Sequence, residues 1–455
     1  MSTASTGTLQ LQVSTSYRHI LKLALPIFAS LVVPQLNFVT NNIFIGQFLP
    51  GEYLGVAAIS GVYYLIFACI GLGFNNGLQA LISRRAGENR LSAIGSLFQN
   101  AVVLSTIIAF ICIGITYLIA SPLFHLVLEK QEHAEIAVRF LHIRIWGLPF
   151  LFLYQMRNAL LVGTNNSKLL IVGTLAETVT NVFFDYTLLS GALGFPNMGF
   201  SGAAVSSVLA EIMGLVAIFG VMKARGLSSQ LALFTNITFN KEEMRLIMVQ
   251  STPLILQFGI SLTSWELFYI LIERNCTVTD LAVSNAMRNV FGLFGCFGWA
   301  LASASSAMVS NVIGQKKNEE VIPLIHRIVR IGLAVGSLFF ILLNLFPSFW
   351  LAVYGQGDAF IQDGIPVLRV VSFVMLMQPA SSIWLNAVVG TGNSRKNLYT
   401  ELMAIVVYVV FVWLVLEVFH LSVAIGWMSE WLYWICMFIP SFLYMKSGRW
   451  MGKMI

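Results

Sequence analysis

Three side chains in one apolar stretch are the first to suggest chemistry. Glu177, Asn181 and Asp185 stand at i, i+4 and i+8 within residues 169–189. On a helix each step climbs about 6 Å and keeps the three near one face. Two carboxylates separated by an amide on one stripe can bind a cation or pass a proton. An ionisable group in hydrocarbon costs roughly 2.5–3.5 kcal/mol or more, so each is a functional candidate by default. Asn41, beside Asn42 on an earlier apolar run, is expected to face the same pocket or to act as a helix-packing amide. Glu266, in Ser264-Trp265-Glu266, puts a carboxylate mid-run in the second half; its alternative is a pairing with a nearby arginine. Glu211 also lies near mid-run, whereas Glu401, a few residues past Arg395 and Lys396, reads as half of an interfacial ion pair.

Bases occur in the same apolar setting. Arg139, Arg144, Arg157, Arg288 and Arg369 all interrupt apolar runs. Arg139 and Arg157 lie close enough to run ends to snorkel towards the surface. Arg288, flanked by Asn285 and Asn289, is deeper by count. A guanidinium in a cavity favours anions such as phosphate; neutralisation by acids such as Glu266 or Asp185 is the stronger expectation. Met375, Met377 and Met403 would give a flexible apolar pocket able to take unlike molecules. Gln35, Asn285, Arg288 and Met375 are therefore the candidate lining of a substrate cavity.

The elements that must position these groups follow from composition. The chain has 455 residues, 57% of them hydrophobic and only 10% charged, against about 25% charged in a soluble domain. Twelve runs are near or above the roughly 20 residues a membrane-spanning helix needs: 20–48, 54–83, 93–120, 134–161, 169–189, 201–221, 246–272, 281–312, 321–345, 361–389, 398–418 and 421–444. The net charge of +6 does not point to nucleic acid, because the bases sit in alternate loops. One set of loops and both ends collect Arg18, Lys22, Arg84, Arg85, Arg90, Lys168, Lys223, Arg225, Lys241, Arg245, Lys316, Lys317, Arg327, Arg330, Arg395, Lys396, Lys446, Arg449 and Lys453. The other loops hold Lys130 and Arg274 among Glu52, Glu129, Glu132, Asp280, Asp358 and Asp363. By the positive-inside rule both termini are cytoplasmic, in a cell inner or plasma membrane. Residues 1–16 lack the build of a signal peptide and read as a loose tail. Cys69, Cys112, Cys276, Cys296 and Cys436 show no metal-type spacing and read as small core residues.

The chain also repeats itself. Val162-Gly163-Thr164-Asn165-Asn166-Ser167-Lys168 returns 227 positions later as Val389-Gly390-Thr391-Gly392-Asn393-Ser394-Arg395. The same offset pairs Pro26 with Pro253, Phe67 with Phe294, Cys69 with Cys296, Gly71 with Gly298, Ala80 with Ala307, Ser83 with Ser310 and Gly87 with Gly314. Six spans per repeat is an even number, so both halves insert the same way and their symmetry axis lies along the membrane normal. The expected architecture is all-α: an N-lobe at 17–222, a linker at 223–245 rich in small and basic residues and so flexible, a C-lobe at 246–445 and a short tail at 446–455. Prolines 26, 34, 149, 253, 366 and 379 interrupt spans and either line a cavity or merely bend a helix; Gly71, Gly73 and Gly77 permit close helix approach.

These motifs carry a resemblance. Pro26, Gln35, Asn37 and Gly46, then Leu54-Gly55-Val56-Ala57-Ala58, and the stretch from Gly71-Leu72-Gly73 to Ser83-Arg84-Arg85-Ala86-Gly87 resemble the first two helices of the multidrug and toxic compound extrusion (MATE) transporters. The repeated Gly-Thr stretch is similar to that family's loop after helix four and its counterpart after helix ten. Asn181 and Asp185, with Gly191 and the run from Pro196 to Ala204, resemble its fifth helix and the turn into the sixth. The resemblance implies two six-helix bundles in a V that export drugs, often lipophilic cations, against inward H⁺ or Na⁺. It also implies that Asp185 and Asn181, and Glu266 in the second half, take part in coupling. Many relatives carry Asp where this chain has Asn41; an amide does not exchange protons, so coupling in the first lobe must use other carboxylates. No cofactor is expected beyond the coupling ion, and no metal beyond Na⁺ at the coupling residues. The expected partners are small-molecule drugs or organic cations and membrane lipids, with the protein a monomer. A flippase for lipid-linked saccharides, from the wider superfamily, is the alternative, favoured by the buried arginines. A membrane enzyme finds no motif here, and a channel no filter signature.

Overall fold

A computed structural model describes residues 10–49, 52–128, 130–234 and 239–453. Residues 1–9 of the expected tail and the loop acid Glu129 lie outside the described residues, as do the side chains of Asn37, Asn42, Gly46, Glu52 and Leu54. The described chain is helical and contains twelve spans long and apolar enough to cross a membrane. They are α1 (Tyr17–Phe48), α2 (Glu52–Gly87), α3 (Leu91–Val127), α4 (Gln131–Gly163), α5 (Ser167–Ser190), α6 (Phe200–Ala224), α7 (Lys241–Asn275), α8 (Val278–Gly314), α9 (Asn318–Leu345), α10 (Asp358–Gly390), α11 (Ser394–Val418) and α12 (Val423–Lys446). Helices prevail because nothing in lipid can hydrogen-bond an open backbone. Side chains such as Leu118 and Leu126 on α3 and Val406 on α11 are exposed, as a lipid-facing belt must be.

The repeated Gly-Thr motif is a helix stop used twice. After α4, Thr164 N donates back to Leu160 O and Asn165 turns left-handed at φ +62°. After α10, Thr391 N donates to Ala387 O and Gly392, the residue 227 positions on, turns left-handed at φ +84°. Gly and Asn are the two residues that enter this region at least cost, which is why the motif tolerates either.

Each half folds into a six-helix lobe with the same internal pairings. In the first, α5 packs between α1 and α6, and α2 against α4; in the second, α11 packs between α7 and α12, and α8 against α10. The three most extensive contacts between the lobes are α1 with α8, α2 with α7, and α2 with α8. Exchanging the halves turns the first into the second and the third into itself, so the seam is two-fold symmetric. It is also one-sided. One apolar core runs through both lobes at the basic-loop ends, joining Phe74, Leu78 and Leu81 to Phe297, Ala300, Ala304 and Met308. Towards the acidic loops the cores part. One holds only second-lobe residues from Phe268 to Trp434, and others only first-lobe residues such as Ile45, Tyr63 and Phe124. The molecule is a V, joined below and open above.

The seam is set by glycine. A Cβ at Gly87 would lie 2.1 Å from Asn311 O, and one at its repeat partner Gly314 would lie 2.4 Å from Arg84 O. Gly73 and Gly77 of α2 rest in the same manner on Ile255 and Ser251 of α7. Polar bonds cross beside them: Gln79 Nε2 donates to Ser303 O at 2.9 Å, and the Ser310 hydroxyl to Ala80 O at 2.6 Å.

Two segments expected to be loose are packed. Residues 10–16 run extended across the basic ends of both lobes, with Leu11 and Val13 buried in the shared core. Gln12 donates to Gly87 O; Asn311 and Gln315 donate to Leu11 O and Val13 O; Arg327 donates to Thr15 O at 2.9 Å. The linker also docks. Its short helix Leu227–Gln230 and the following turn bury Leu227, Leu231 and Leu233, and Ala232 O accepts from Gln99 on α3. Both corrections have one cause: a few apolar residues among polar ones suffice when a groove between helices is waiting for them.

Because the Gly87–Gly314 contact leaves no room for a methyl group, Gly87→Ala and Gly314→Ala should each lower stability by about 1–3 kcal/mol through overpacking. Gly114→Ala, at a position with nothing within 4 Å, should leave the unfolding midpoint of the purified protein in place. Thermal unfolding in detergent reads all three.

Candidate functional site

Asp185 lies on the inward face of α5, 1% exposed, and Asn181 one turn before it is 4% exposed. Both look at Ser206 of α6. Asn181 Nδ2 donates to the Ser206 hydroxyl at 3.0 Å, the hydroxyl donates to the Asn181 carbonyl at 2.9 Å, and the same side chain hydrogen-bonds Asp185. Tight packing of α5 on α6 produces this: Gly202 of α6 would place a Cβ 2.9 Å from Leu188 O. The result is a carboxylate closed off from bulk water beside the Ser206 hydroxyl, and able to take up a proton or a small cation. Asn41, half-buried on α1, is in the helix that flanks α5 on its other side.

Glu177 is turned to a different company. It faces Arg144 and Arg157 of α4 and Glu211 of α6, with a hydrogen bond from Tyr154. At the centre of this cluster Arg144 makes a two-pronged pair with Glu211, Nη1 to Oε2 at 3.0 Å and Nη2 to Oε1 at 2.7 Å. Tyr64 of α2 adds its hydroxyl to Glu211 at 3.1 Å, and its ring lies under the Arg144 guanidinium at 3.7 Å. The break in α4 makes space for the pair. The helix relaxes into a 3₁₀ turn at Ile145–Gly147 before Pro149, and a Cβ on Gly147 would collide with Glu211 Oε2 at 2.1 Å. Arg157 does not snorkel. It is fully buried, its guanidinium stacked 3.8 Å from the Tyr154 ring beside Glu177. Among the described residues Arg144 is thus paired with Glu211, while Arg157 lies within electrostatic reach of Glu177 with both Nη atoms lacking a hydrogen-bond partner, and neither base forms an ion pair with Asp185 or Glu266. Arg139 and Arg369 are exposed.

The cleft between the lobes is lined from α1, α7 and α8. Gln35 of α1 is exposed and its Oε1 comes within 4.0 Å of where a Cβ on Gly292 of α8 would stand. One and two turns further up α8, Arg288 is half-buried and Asn285 and Asn289 are exposed. Arg288 leans over the rings of Trp265 and Tyr269 of α7 at 5.7 and 5.6 Å. Glu266 is half-buried and within electrostatic reach of Tyr269, as is Arg288, without forming an ion pair among the described residues. Met375 does not belong here. It is 2% exposed in the second lobe's own core, and its carbonyl meets the α9 helix at Gly336. Met403 is 44% exposed on the outer surface of α11, so the three methionines form no common pocket.

Two buried acids of the second lobe were misread or unmarked in the sequence. Glu401 is fully buried and bonded to α7 and α12, and forms no pair with Arg395 or Lys396, which are exposed. Glu430 of α12, 3% exposed, accepts from the indole N–H groups of Trp265 at 3.0 Å and Trp434 at 3.2 Å. An acid inside an apolar run was the available signal for Glu430.

The family model described as MatE matches residues 26–187 and again 253–414, two segments offset by the same 227 positions. Among curated proteins, the chain is similar to the probable multidrug resistance protein NorM of Thermotoga maritima, 21% identical over 403 residues that cover 85% of this chain and 83% of the other. It is likewise 22% identical to the probable multidrug resistance protein NorM of Listeria innocua serovar 6a over 88% of this chain and 87% of that one. Among solved structures, the outward-facing conformation of a multidrug resistance MATE family transporter superposes with a TM-score of 0.88 at 16% identity, covering 98% of both chains. A transporter of the same superfamily from Pyrococcus furiosus superposes with 0.86 at 16%, also over 98% of both. At these identities the superpositions speak for the fold, a two-lobed bundle of twelve helices.

The Arg144–Glu211 pair allows a direct check. Removing one member strands a buried charge and should cost about 3–5 kcal/mol. Arg144→Leu or Glu211→Leu alone should therefore lower the unfolding midpoint sharply, while the two together should recover most of the loss.

Proposed function

The chain belongs to the MatE family, and on that premise we propose that it is a secondary active multidrug efflux antiporter, exporting cationic or amphipathic organic compounds in exchange for inward H⁺ or Na⁺. The observation that carries this reading is Asp185, a carboxylate sealed at the α5–α6 contact of one lobe, in a molecule whose lobes meet on one side only. The basic loops mark the joined side as cytoplasmic, so the V opens outwards and both termini are cytoplasmic. Rocking the lobes about the glycine seam would close the outer mouth and open the inner one. Loading Asp185 with the ion in the outward-open state removes a buried charge, which favours the tighter packing the other state needs; its release inside completes the cycle.

Asn41 carries no exchangeable proton, so in the first lobe the load falls on Asp185, with Asn181 and Ser206 as its polar partners. Glu177 lies within electrostatic reach of Arg144 and Arg157 and balances the charge of that cluster. The cleft offers a polar floor at Gln35, Asn285 and Asn289 and an aromatic wall at Trp265 and Tyr269, a surface for flat amphipathic molecules. Arg288 and Glu266 supply both signs of charge there. Arg144 is paired within the lobe, so it gives no support to a carrier of phosphorylated lipids. The lipid bilayer is the environment, and one chain contains both lobes, so a monomer suffices.

Proteoliposomes carrying a pH-sensitive dye, with and without sodium, test the exchange: addition of a fluorescent organic cation should dissipate an imposed gradient. Asp185→Asn should abolish gradient-driven efflux while leaving the unfolding midpoint close to that of the parent. Undiminished efflux by that variant would remove Asp185 from the mechanism.

A further inference from the structure

The second lobe has a groove on its outer face, at the basic-loop end. Met248, Thr252 and Leu256 stand at i, i+4 and i+8 along α7 with Pro253 beside them, and Arg395 and Leu398 of α11 form the other wall. The groove encloses about 360 Å³ and runs about 12 Å along the helix axis. Midway along it Pro253 takes the backbone N–H out of the α7 ladder. Leu256 is exposed, and Tyr399 at the groove edge begins an exposed stripe that continues up α11 through Met403 and Val406. The groove therefore opens sideways, towards acyl chains.

Its mouth is basic and unanswered. Arg395 is exposed, and Lys453 of the tail, also exposed, lies within electrostatic reach of it. Arg245 continues the α7 stripe three residues before Met248. None of the three forms an ion pair among the described residues, and the first turn of α11 contains no acid. On α7, Glu243 is engaged with Ser96 and Asn100 of α3, and Glu242 is exposed at the start of the helix.

We propose that this groove seats one anionic glycerophospholipid from the leaflet on the basic-loop side, its phosphate at Arg395 and Lys453 and an acyl chain laid along Met248, Thr252, Pro253 and Leu256. A phosphate takes two parallel hydrogen bonds from a guanidinium, and the leaflet that the basic loops face is the one rich in anionic lipid. The groove is charged at one end and apolar over the rest, the same division as in the lipid. An organic cation would meet like charge at the mouth. A second copy of the chain turned face to face would set its own Arg395 and Lys453 against these two, which is equally unfavourable. The seated lipid would tie α11 to α7, the helix that carries Trp265 and Glu266 further up. The seat stands whether or not the protein exchanges ions.

The test uses the purified protein in micelles of a neutral detergent. Phosphatidylglycerol is added at rising mole fraction, beside phosphatidylcholine with the same chains and, separately, inorganic phosphate. A ligand that binds only the folded state raises the unfolding midpoint by mass action. The expected result is a rise of several degrees with phosphatidylglycerol and little change with the other two. Arg395→Ala should lose most of that rise. Val249→Trp, which fills the groove without changing its charge, should lose as much. Lys317→Ala, exposed in the α8–α9 turn on the same side, should keep all of it. An equal rise with phosphatidylcholine, or a full response in Arg395→Ala, overturns the proposal. An equal loss in Lys317→Ala overturns it in favour of a general effect of surface charge. A rise with inorganic phosphate as large as that with the lipid overturns it in favour of a free anion. Should Arg395→Ala fail to fold, an undiminished response in Val249→Trp overturns it equally. Native mass spectrometry of the same samples should find one more phospholipid retained by the wild type than by Val249→Trp; a dimer lost in that variant would make the groove a subunit interface and overturn the lipid.

Discussion

Where α2 and α8 cross at the basic ends, glycine brings backbone against backbone. Gly87 faces the backbone at Asn311, and Gly314 faces the backbone at Arg84. In a bilayer the apolar effect does not drive helices together, since lipid tails are as oily as leucine; close packing and interhelical hydrogen bonds must do it. The lobes therefore approach most closely where small residues let backbones touch, with the shared apolar core and the Gln79 and Ser310 hydrogen bonds beside them. This one constraint gives the V its hinge, leaves Gln35 and Arg288 bordering an open cleft, and makes the joined side the place where a rocking motion turns.

A second constraint acts inside each lobe. A charge in hydrocarbon must be answered by a neighbour or be able to disappear. The first lobe uses both solutions. Arg144 and Glu211 are matched two bonds for two and serve as structure. Asp185 meets the neutral hydroxyl of Ser206, which suits a group that changes its charge. Among the described residues the second lobe has no counterpart of the arginine pair around Glu401 and Glu430, whose carboxylates meet hydroxyl, amide and indole groups.

What could be read from the sequence was what depends on periodicity. The offset of 227 anticipated the matched segments, the apolar runs anticipated twelve spans, and the spacing of Asn181 and Asp185 put both on one buried face. What could not be read depends on the neighbouring helix. Glu401 follows Arg395 by six residues, roughly 240° around the helix axis, so it turns inwards while the arginine stays outside. Arg157 sits close to a helix end yet finds the Tyr154 ring before it finds the surface. Met375 falls on the side of α10 that α9 covers. In each case the chain supplied the residue type, and the tertiary partner chose its role.

The strap at residues 10–16 has a consequence for assembly. It is the first part of the described chain to be synthesised, yet its anchors include Asn311, Gln315 and Arg327, most of which emerge when about two thirds of the polypeptide has already entered the bilayer. The beginning of the chain must wait, undocked, for the second bundle to arrive. When it finally lies down across both, it works as a clasp: its two apolar teeth, Leu11 and Val13, find their slot only between bundles that have already met in the correct register.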